Sequence, residues 1–451
     1  MKKLLFLPVF CLWHIISGCT NFNSSAIKLA DIDADVMVLY KDAVYFSSFS
    51  DLWKTDGTEK GTVKISNINS QVILQELTVV DNLLYFSADD GINGEALWVS
   101  DGSTEGTRMV KDSSGAVLLR PVELTVLNNK LFFVCDHPVY GSEVWTSGGT
   151  AETTHMLKNI RAETENDISA FPNHLTVCGK LIFFSANDGN AEYGLNSQVW
   201  QTDGTPEGTL KTDAENQPLE TDPYCLSCAG EQFYFFADSY VDYSALMTVK
   251  TSNDSTLVVK EFPISSISEY ANTTTALQGK LYMMLNAGEG FSIASEDEGV
   301  VIATDPAELW TSDGTAAGTQ LIARIDTAYG SDHINNLNGK LYFTGGWEYG
   351  SRLWQSDGTK EGTAPLSVLL PGEYQYPFGL MEHENKVYYF IKNKKSEFVS
   401  LAVTDGKTNT LLYQDFFKGV MEGGDYIIFN NMIIFGGSRE LYALPLSEGA
   451  D

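Results

Sequence analysis

Positive charge is what this 451-residue chain has least of. Lys and Arg number 29 against 59 Asp and Glu, a formal charge of −30. Binding to a phosphate backbone needs clustered cations, so the balance argues against nucleic acid as a partner. It equally disfavours docking of the protein surface on an anionic leaflet. Cationic partners and divalent metals are permitted. Histidine is scarce at 6 residues, which leaves little material for zinc. Proline stands at only 13. After the first 16 residues no apolar run approaches the roughly 20 that a membrane-spanning helix needs. Nucleophile elbow, phosphate-binding glycine loop and HExxH are all missing. What is plentiful is apolar and aromatic residue, 43% and 12%, with 39 glycines, a mixture suited to strands joined by tight turns. The length exceeds the roughly 250 residues at which a single core stops growing. Two or three domains, or one repeat architecture, are the options.

The N terminus reads as an export signal. Lys2 and Lys3 precede the apolar stretch at 4–16, and Ser17-Gly18-Cys19 follows. A cysteine directly after Ile-Ser-Gly resembles the lipobox of bacterial lipoproteins. The resemblance implies that residues 1–18 are removed and that Cys19 becomes a lipidated N-terminus. Thr20, in place of Asp, implies passage to the outer membrane of a Gram-negative envelope. Residues 20–25 then form a polar tether. Cys135, Cys178, Cys225 and Cys228 would sit in an oxidising compartment, where disulfides form. Cys225-x-x-Cys228 has no helix pattern after it, so it reads as a structural disulfide or buried thiols, with the pairing open.

One phrase recurs along the chain: LWKTDGTEKGT at 52–62, LWVSDGSTEGT at 97–107, VWTSGGTAETT at 144–154, VWQTDGTPEGT at 199–209, LWTSDGTAAGT at 309–319 and LWQSDGTKEGT at 353–363. Weaker copies stand at 246–256, 401–410 and 441–446. An aromatic-rich run such as LYFSADDG precedes each copy, and a short run such as RMVKD follows. Each unit therefore reads as four short strands, a to d, with turn signals at hairpin spacing. Successive tryptophans such as Trp53 and Trp98 mark a step of four strands, which predicts a β-propeller. The phrase resembles the bacterial ELWxxDGT repeat family, which implies a secreted or surface propeller-like repeat and no single activity. Nine b-strands are present. The ninth unit lacks a d-strand, and AIKLADI at 26–32 looks like one, so the N-terminal strand is expected to complete the last blade. The fold class is thus all-β, a single propeller over 26–451 of about nine blades, with eight as the alternative.

The repeated aspartates, Asp56, Asp101, Asp203, Asp313, Asp357 and Asp405, read as turn residues rather than catalytic or metal-binding groups. Each occurs once per unit, whereas a catalytic residue is needed once per protein, and Asp-Gly is turn chemistry. Trp53, Trp98, Trp145, Trp200, Trp310 and Trp354 read as packing between blades, since Met247 and Ala402 replace them in weak units. Variation falls on the b–c and d–a connections, whose long copies are acidic and include Glu163, Glu165, Asp167, Asp188, Glu192, Glu289 and Asp305. Binding is expected there. Glu296, Asp297 and Glu298 in a row make calcium a possible ligand, although no EF-hand spacing occurs. Aligning LTVV, LTVL and LTVC puts Glu76, Glu123 and His174 at one place on strand a, with His333 one residue earlier in the seventh unit. Such a ring at the channel mouth would serve either as a solvated polar funnel or as an ion or acid–base site. The function read from these features is a membrane-tethered extracytoplasmic binding or scaffold module, whose partner is a protein or glycan of the cell envelope. A hydrolase or lyase at the channel mouth and an envelope-assembly subunit are the alternatives.

Overall fold

The computed structural model describes residues 26–49, 51–66, 68, 74–161, 168–189, 197–212, 223–238, 243–250, 255–263, 274–286, 307–325, 334–345, 352–367, 369, 375–393, 398–418, 425–437 and 439–446. Apart from one 3-10 turn at Ala151–Thr153, the regular structure among these residues is strand. The b strands, such as Ala43–Ser48 and Leu83–Asp89, are buried on both faces. That is why they read as near-continuous apolar runs and not as alternating ones.

The strands form nine antiparallel four-stranded blades in the order a, b, c, d; seven are separate sheets, and blades 2 and 3 are joined into one eight-stranded sheet where Leu119 pairs with Ala96. Blade 1, for example, runs Met37–Tyr40, Ala43–Ser48, Asp51–Thr55 and Val63–Lys64. The a strands of blades 2 to 5 are Gln75–Val80, Leu119–Leu127, Asn173–Cys178 and Tyr224–Ala229. Those of blades 6 to 9 are Thr274–Leu277, Ile334–Leu337, Gln375–His383 and Tyr426–Phe429. Each a strand touches the next, and the ninth returns to the first, so they make a closed inner ring. The eroded fifth and eighth units are whole blades. They carry the longest outer strands, Ser255–Pro263 and Asn409–Lys418, whereas the strong copies in blades 1 to 4 and 7 have outer strands of two residues.

Ring closure follows the composite pattern. Blade 9 takes Tyr426–Phe429, Met432–Gly437 and Glu440–Pro445 from the end of the chain, and Ile27–Ala30 pairs with the last of these. Ile27 lies opposite Ala443, and Lys28 reaches Glu440 at 2.5 Å. The otherwise open edge of the final blade is thereby covered.

The core is divided. Nine apolar clusters occur among the described residues, one at each junction of consecutive blades. A blade alone would leave one sheet face wet; stacked in a ring, each blade buries both. The a–b and c–d turns share one rim of the ring, the turn rim. The b–c and d–a connections share the other, the loop rim.

Candidate functional site

The repeated Asp-Gly turns come first, because they decide whether the aspartates are available for chemistry. In blade 6, Asp313 Oδ1 accepts from the backbone N–H and the hydroxyl of Thr315, at 3.0 and 2.7 Å. Gly314 N–H donates to Ser312 Oγ at 3.1 Å, Gly318 N–H to Thr315 Oγ1 at 3.0 Å, and Thr319 Oγ1 to Thr315 O at 2.7 Å. The same bonds recur around Asp56, Asp101, Asp203 and Asp357. These bonds hold the five carboxyls below the usual aspartate range, the hydroxyl contributing most. Asp405 accepts from Thr408 and Lys407 N–H groups and lies at about 2. All six are solvent-facing, ionised and engaged by their own loop.

Both glycines have reasons. The first takes a left-handed backbone (φ 83 at Gly314) and lies under a b-strand side chain of the preceding blade. Tyr45 covers Gly102, Tyr85 covers Gly149, and a Cβ on Gly204 would come 2.8 Å from Phe132 Cζ. The second glycine lies beneath the aspartate, and a Cβ on Gly61, Gly106, Gly208, Gly318 or Gly362 would collide with that carboxylate.

Blade 3, whose phrase is SGGTAETT, shows the reciprocal solution. Gly148 stands where the aspartate should be and Thr153 where the second glycine should be. Thr153 Oγ1 fills the vacated space, accepting from Thr150 N–H at 3.2 Å and lying 3.1 Å from Thr150 Oγ1. The two positions therefore exclude each other's side chains. Gly318→Thr alone should destabilise the protein by about 1–3 kcal/mol through overpacking. Asp313→Gly together with Gly318→Thr should recover most of that loss. A denaturant double-mutant cycle measures the coupling; additive effects would show that the exchange is accidental.

The tryptophans occupy one equivalent place on strand c. Each belongs to the cluster joining its own blade to the preceding one: Trp53 with blade 9, Trp98 with blade 1, Trp145 with blade 2, Trp200 with blade 3, Trp310 with blade 5 and Trp354 with blade 6. Met247 and Ala402 sit in the equivalent clusters of blades 5 and 8.

At the channel, the structure adds a backbone device that the alignment of LTVV, LTVL and LTVC does not reveal. Glu76, Glu123, His174 and Cys225 all adopt a left-handed backbone, with φ of 58, 60, 58 and 50. Each sits at a register shift between strands a and b. The hydroxyl two residues on, from Thr78, Thr125, Thr176 or Ser227, donates to the carbonyl of that residue. Two of the carboxylates then reach the next blade. Glu76 Oε2 accepts from Leu124 N–H at 3.1 Å. Glu123 Oε1 accepts from His174 N–H at 3.1 Å and its Oε2 from Leu175 N–H at 3.0 Å. These glutamates link blade 2 to blade 3 and blade 3 to blade 4. Gly379 takes the corresponding left-handed place in blade 8. His174 is exposed, and His333 lies outside the described residues.

Most acidic loop residues also lie outside the described residues: Glu163, Glu165, Asp167, Glu192, Glu289, Glu296, Asp297, Glu298 and Asp305, as does Cys19. Asp188 is described and pairs with Lys211 at 2.9 Å. Among the described residues no group of three or more His, Cys, Asp or Glu is placed to hold a metal ion.

Two features of the loop rim in blade 3 escaped the sequence reading. His137 Nε2 lies 3.3 Å from Asp112 Oδ2, and the imidazole packs between Tyr140 and Trp145 at ring separations of 4.9 and 5.1 Å. Glu143 is fully buried, and its Oε1 accepts from Ile160 and Arg161 N–H at 2.9 and 3.3 Å. Burial pushes its carboxyl up to about 8, so it is largely protonated at neutral pH. Glu308, two residues before its own tryptophan as Glu143 is, instead pairs with Arg324 at 2.9 Å. No periodicity distinguishes the two; the difference lies in what the neighbouring outer chain supplies.

The cysteine pairing is also resolved. Cys178 is bonded to Cys228, with Cα atoms 5.3 Å apart, and Cys225 is outside the bond. The bridge joins the inner strands of blades 4 and 5. Cys135 is buried, and burial drives its thiol well above the ordinary range.

No family model matches the chain, and no curated protein matches it. Among solved structures it is similar to prolyl oligopeptidase B from Galerina marginata, at 11% identity over 71% of this chain and 47% of that one, with a TM-score of 0.40. It is similar to a prolyl endopeptidase described for the role of inter-domain dynamics, at 12% identity, 80% and 54% coverage and a TM-score of 0.41. The chain spans about half the length of these two peptidases. The β-propeller domain of the trilobed protease from Pyrococcus furiosus matches at 10% identity, 84% and 98% coverage and a TM-score of 0.36. That domain is described as having an open velcro topology. Likeness at this level carries no argument about activity.

Proposed function

We propose that this protein is an extracytoplasmic propeller, lipid-anchored at Cys19, that serves as a binding or scaffold module of a cell envelope through its loop rim. The observation that carries this reading is the polarity of the closing strand. Ile27–Ala30 pairs with Ala443 at its start and Leu441 at its end, so it runs from the turn rim towards the loop rim. The preceding chain therefore leaves the ring on the turn-rim side. Seven residues separate Cys19 from Ile27, a reach of roughly 23–25 Å when extended. A lipid on Cys19 would hold the turn rim towards the bilayer and leave the loop rim facing away. The turn rim's aspartates are engaged by their own turns, and the tether would let that rim stand off the leaflet rather than dock on it. The loop rim carries the length variation and the acidic segments, as a working face on a rigid scaffold does. Neither hydrolase or lyase chemistry nor an assembly role is favoured by a specific observation.

Fractionation of cells producing the chain tests the anchor. The wild type should partition with membranes and carry a modified N-terminal cysteine by mass spectrometry, and Cys19→Ser should be released or left unprocessed. Unchanged membrane retention of a Cys19→Ser protein from which residues 1–18 have been removed, or an unmodified wild-type N-terminus, would overturn the reading.

A further inference from the structure

One position on strand c, two residues before the tryptophan, divides the blades by how they treat charge. Asp51 stands there in blade 1, Glu143 in blade 3, Gln198 in blade 4 and Glu308 in blade 6. Asp51 is paired with Lys64 at 2.5 Å and Glu308 with Arg324 at 2.9 Å, each cation coming from the outer strand of the same blade. Gln198 is the uncharged counterpart of a glutamate. Glu143 is the one acid of the three that is fully buried, and no cation pairs with it among the described residues. An ion left unpaired in such a place is costly, so the carboxyl is kept neutral.

The two oxygens of Glu143 differ. Oε1 accepts from Ile160 and Arg161 N–H, where the outer chain of blade 3 leaves for blade 4. Oε2 is buried with no hydrogen-bond partner among the described residues, and so is Nε1 of Trp145, two residues on. In blade 6 the equivalent atoms are joined: Trp310 Nε1 donates to Glu308 Oε2 at 2.9 Å. A proton on Oε2 of Glu143 accounts for the difference, because it turns that oxygen from an acceptor into a donor. The titratable neighbours are otherwise engaged. Cys135 lies directly across the ladder, buried and with its thiol held protonated. Asp112, from the connection after blade 2, is held by its own turn and faces His137, while Asp136 pairs with Arg120. On the outer chain, Lys158 Nζ donates to Thr209 O and Arg161 Nη1 to Ser169 O at 3.5 Å. The connection is fastened again where it returns: Ser142 N–H donates to Ser169 Oγ at 3.1 Å, and Ala170 N–H to Ser142 O at 3.0 Å. Adjacent residues of strand c therefore hold both ends of the chain between blades 3 and 4.

We infer that Glu143 is a proton-operated latch: its neutral carboxyl fastens residues 160 and 161 to blade 3, and this end of the connection opens as the proton is given up. In the closed state the carboxyl keeps its proton up to about 8, against an ordinary 4.5 once the segment opens to water. The closed state therefore binds the extra proton. Its advantage is complete below 4.5 and is lost as pH rises to about 8. The latch is tightest in acid and loosest from about pH 8 upwards. It is a property of blade 3 and stands whether or not Cys19 carries lipid.

Amide hydrogen exchange of the full chain, corrected for the intrinsic rate at each pH, tests the latch. Protection of Ile160 and Arg161 should fall roughly tenfold per pH unit between about pH 6 and 8 and then level off. Glu143→Gln keeps an acceptor for both N–H groups and cannot ionise, so its profile should be flat. The amides of Gln320–Ile325, beside the paired Glu308, should show no such slope in either protein. Equal slopes in wild type and Glu143→Gln, or a flat wild-type profile, would overturn the proposal. Should Glu143→Gln not fold, infrared spectroscopy of the wild type decides alone. The carbonyl stretch of a protonated carboxyl should be present about one unit below the midpoint near 8 and lost well above it. Its absence below that midpoint, or its survival above, would overturn the latch without recourse to any variant.

Discussion

Trp145→Ala should lower the unfolding free energy by about 3–5 kcal/mol, the range for emptying a large aromatic site in a packed interior. The residue is 2% exposed and lies in the cluster that joins blade 3 to blade 2, with Phe133 directly across the ladder and Tyr85, Leu97 and Val99 from the preceding blade. Four neighbours make collapse of the cavity difficult. Phe133 pairs with Trp145 in the ladder and is fully buried, Leu131 and Cys135 are fully packed, and His137 rests on the indole from the loop rim. Trp145→Met should cost less, about 1–2 kcal/mol, because less volume is lost and the thioether adapts to irregular gaps. Blade 5 already uses Met247 at this place. Blade 8 uses Ala402, with Tyr389 across the ladder filling the space and its hydroxyl bonded to Asn409 at 2.6 Å. Denaturant midpoints, compared at constant slope, measure both variants. A ligand-cage role would give the opposite pattern: stability intact in Trp145→Ala, with binding of a loop-rim ligand lost.

The propeller was legible because its determinants are local and repeated. A doubly buried b strand shows as an unbroken apolar run, and the Asp-Gly turn shows as a fixed phrase. The missing ninth d strand could be matched to AIKLADI because the other units define what a unit contains. Outer strands were less legible. TVKISNI reads as one strand, but only Val63–Lys64 stay in the ladder. Ile65 and Ser66 N–H both donate to Leu52 O, and Ser66 Oγ returns a bond from Leu52 N–H, which turns the chain inward. Glu76, Glu123 and His174 share one place on strand a, but the physics that uses them is tertiary. Nothing in Glu-Leu-Thr says that its first residue is left-handed, or that its carboxylate caps a neighbouring blade. The only trace is the recurrence of a residue, Leu and a hydroxyl at 76–78, 123–125, 174–176 and 225–227. SGGTAETT reads as an eroded copy, although its two changes compensate each other in space. The disulfide was hidden for a related reason. A Cys-x-x-Cys spacing draws attention to its own two sulfurs, yet Cys225 packs towards blade 6 and Cys228 towards blade 4. Only the inner-ring topology brings Cys178 within reach.

Removal of that bridge is the second large effect expected. Cys178 ends the inner strand of blade 4, and Cys228 is one residue from the end of the inner strand of blade 5. The two are 50 residues apart in sequence, so the bond closes a loop the size of a whole blade. Constraining such a loop in the unfolded chain is worth about 4 kcal/mol in the chain-entropy account, and removal of native disulfides typically costs about 2–5. The Cys178→Ala and Cys228→Ala double variant should therefore lose about 2–4 kcal/mol in equilibrium denaturation under non-reducing conditions. Both positions must change, because a single substitution leaves a thiol that can pair with Cys225 after opening. Cys135 will not compete in the native state, since its thiol is buried and held protonated. Reductant should shift the wild type towards the double variant and leave the variant itself unmoved, which separates the bond from any packing effect of the alanines. Coincident wild-type and variant curves would show that the ring is held at this junction by its apolar cluster alone. The same bond reports on compartment. Acid-quenched alkylation of the chain taken directly from cells should find Cys178 and Cys228 blocked and Cys135 as a thiol if folding occurs outside the cytosol, where such bonds persist. Recovery of all of these cysteines as thiols would contradict an extracytoplasmic location, independently of whether Cys19 carries lipid.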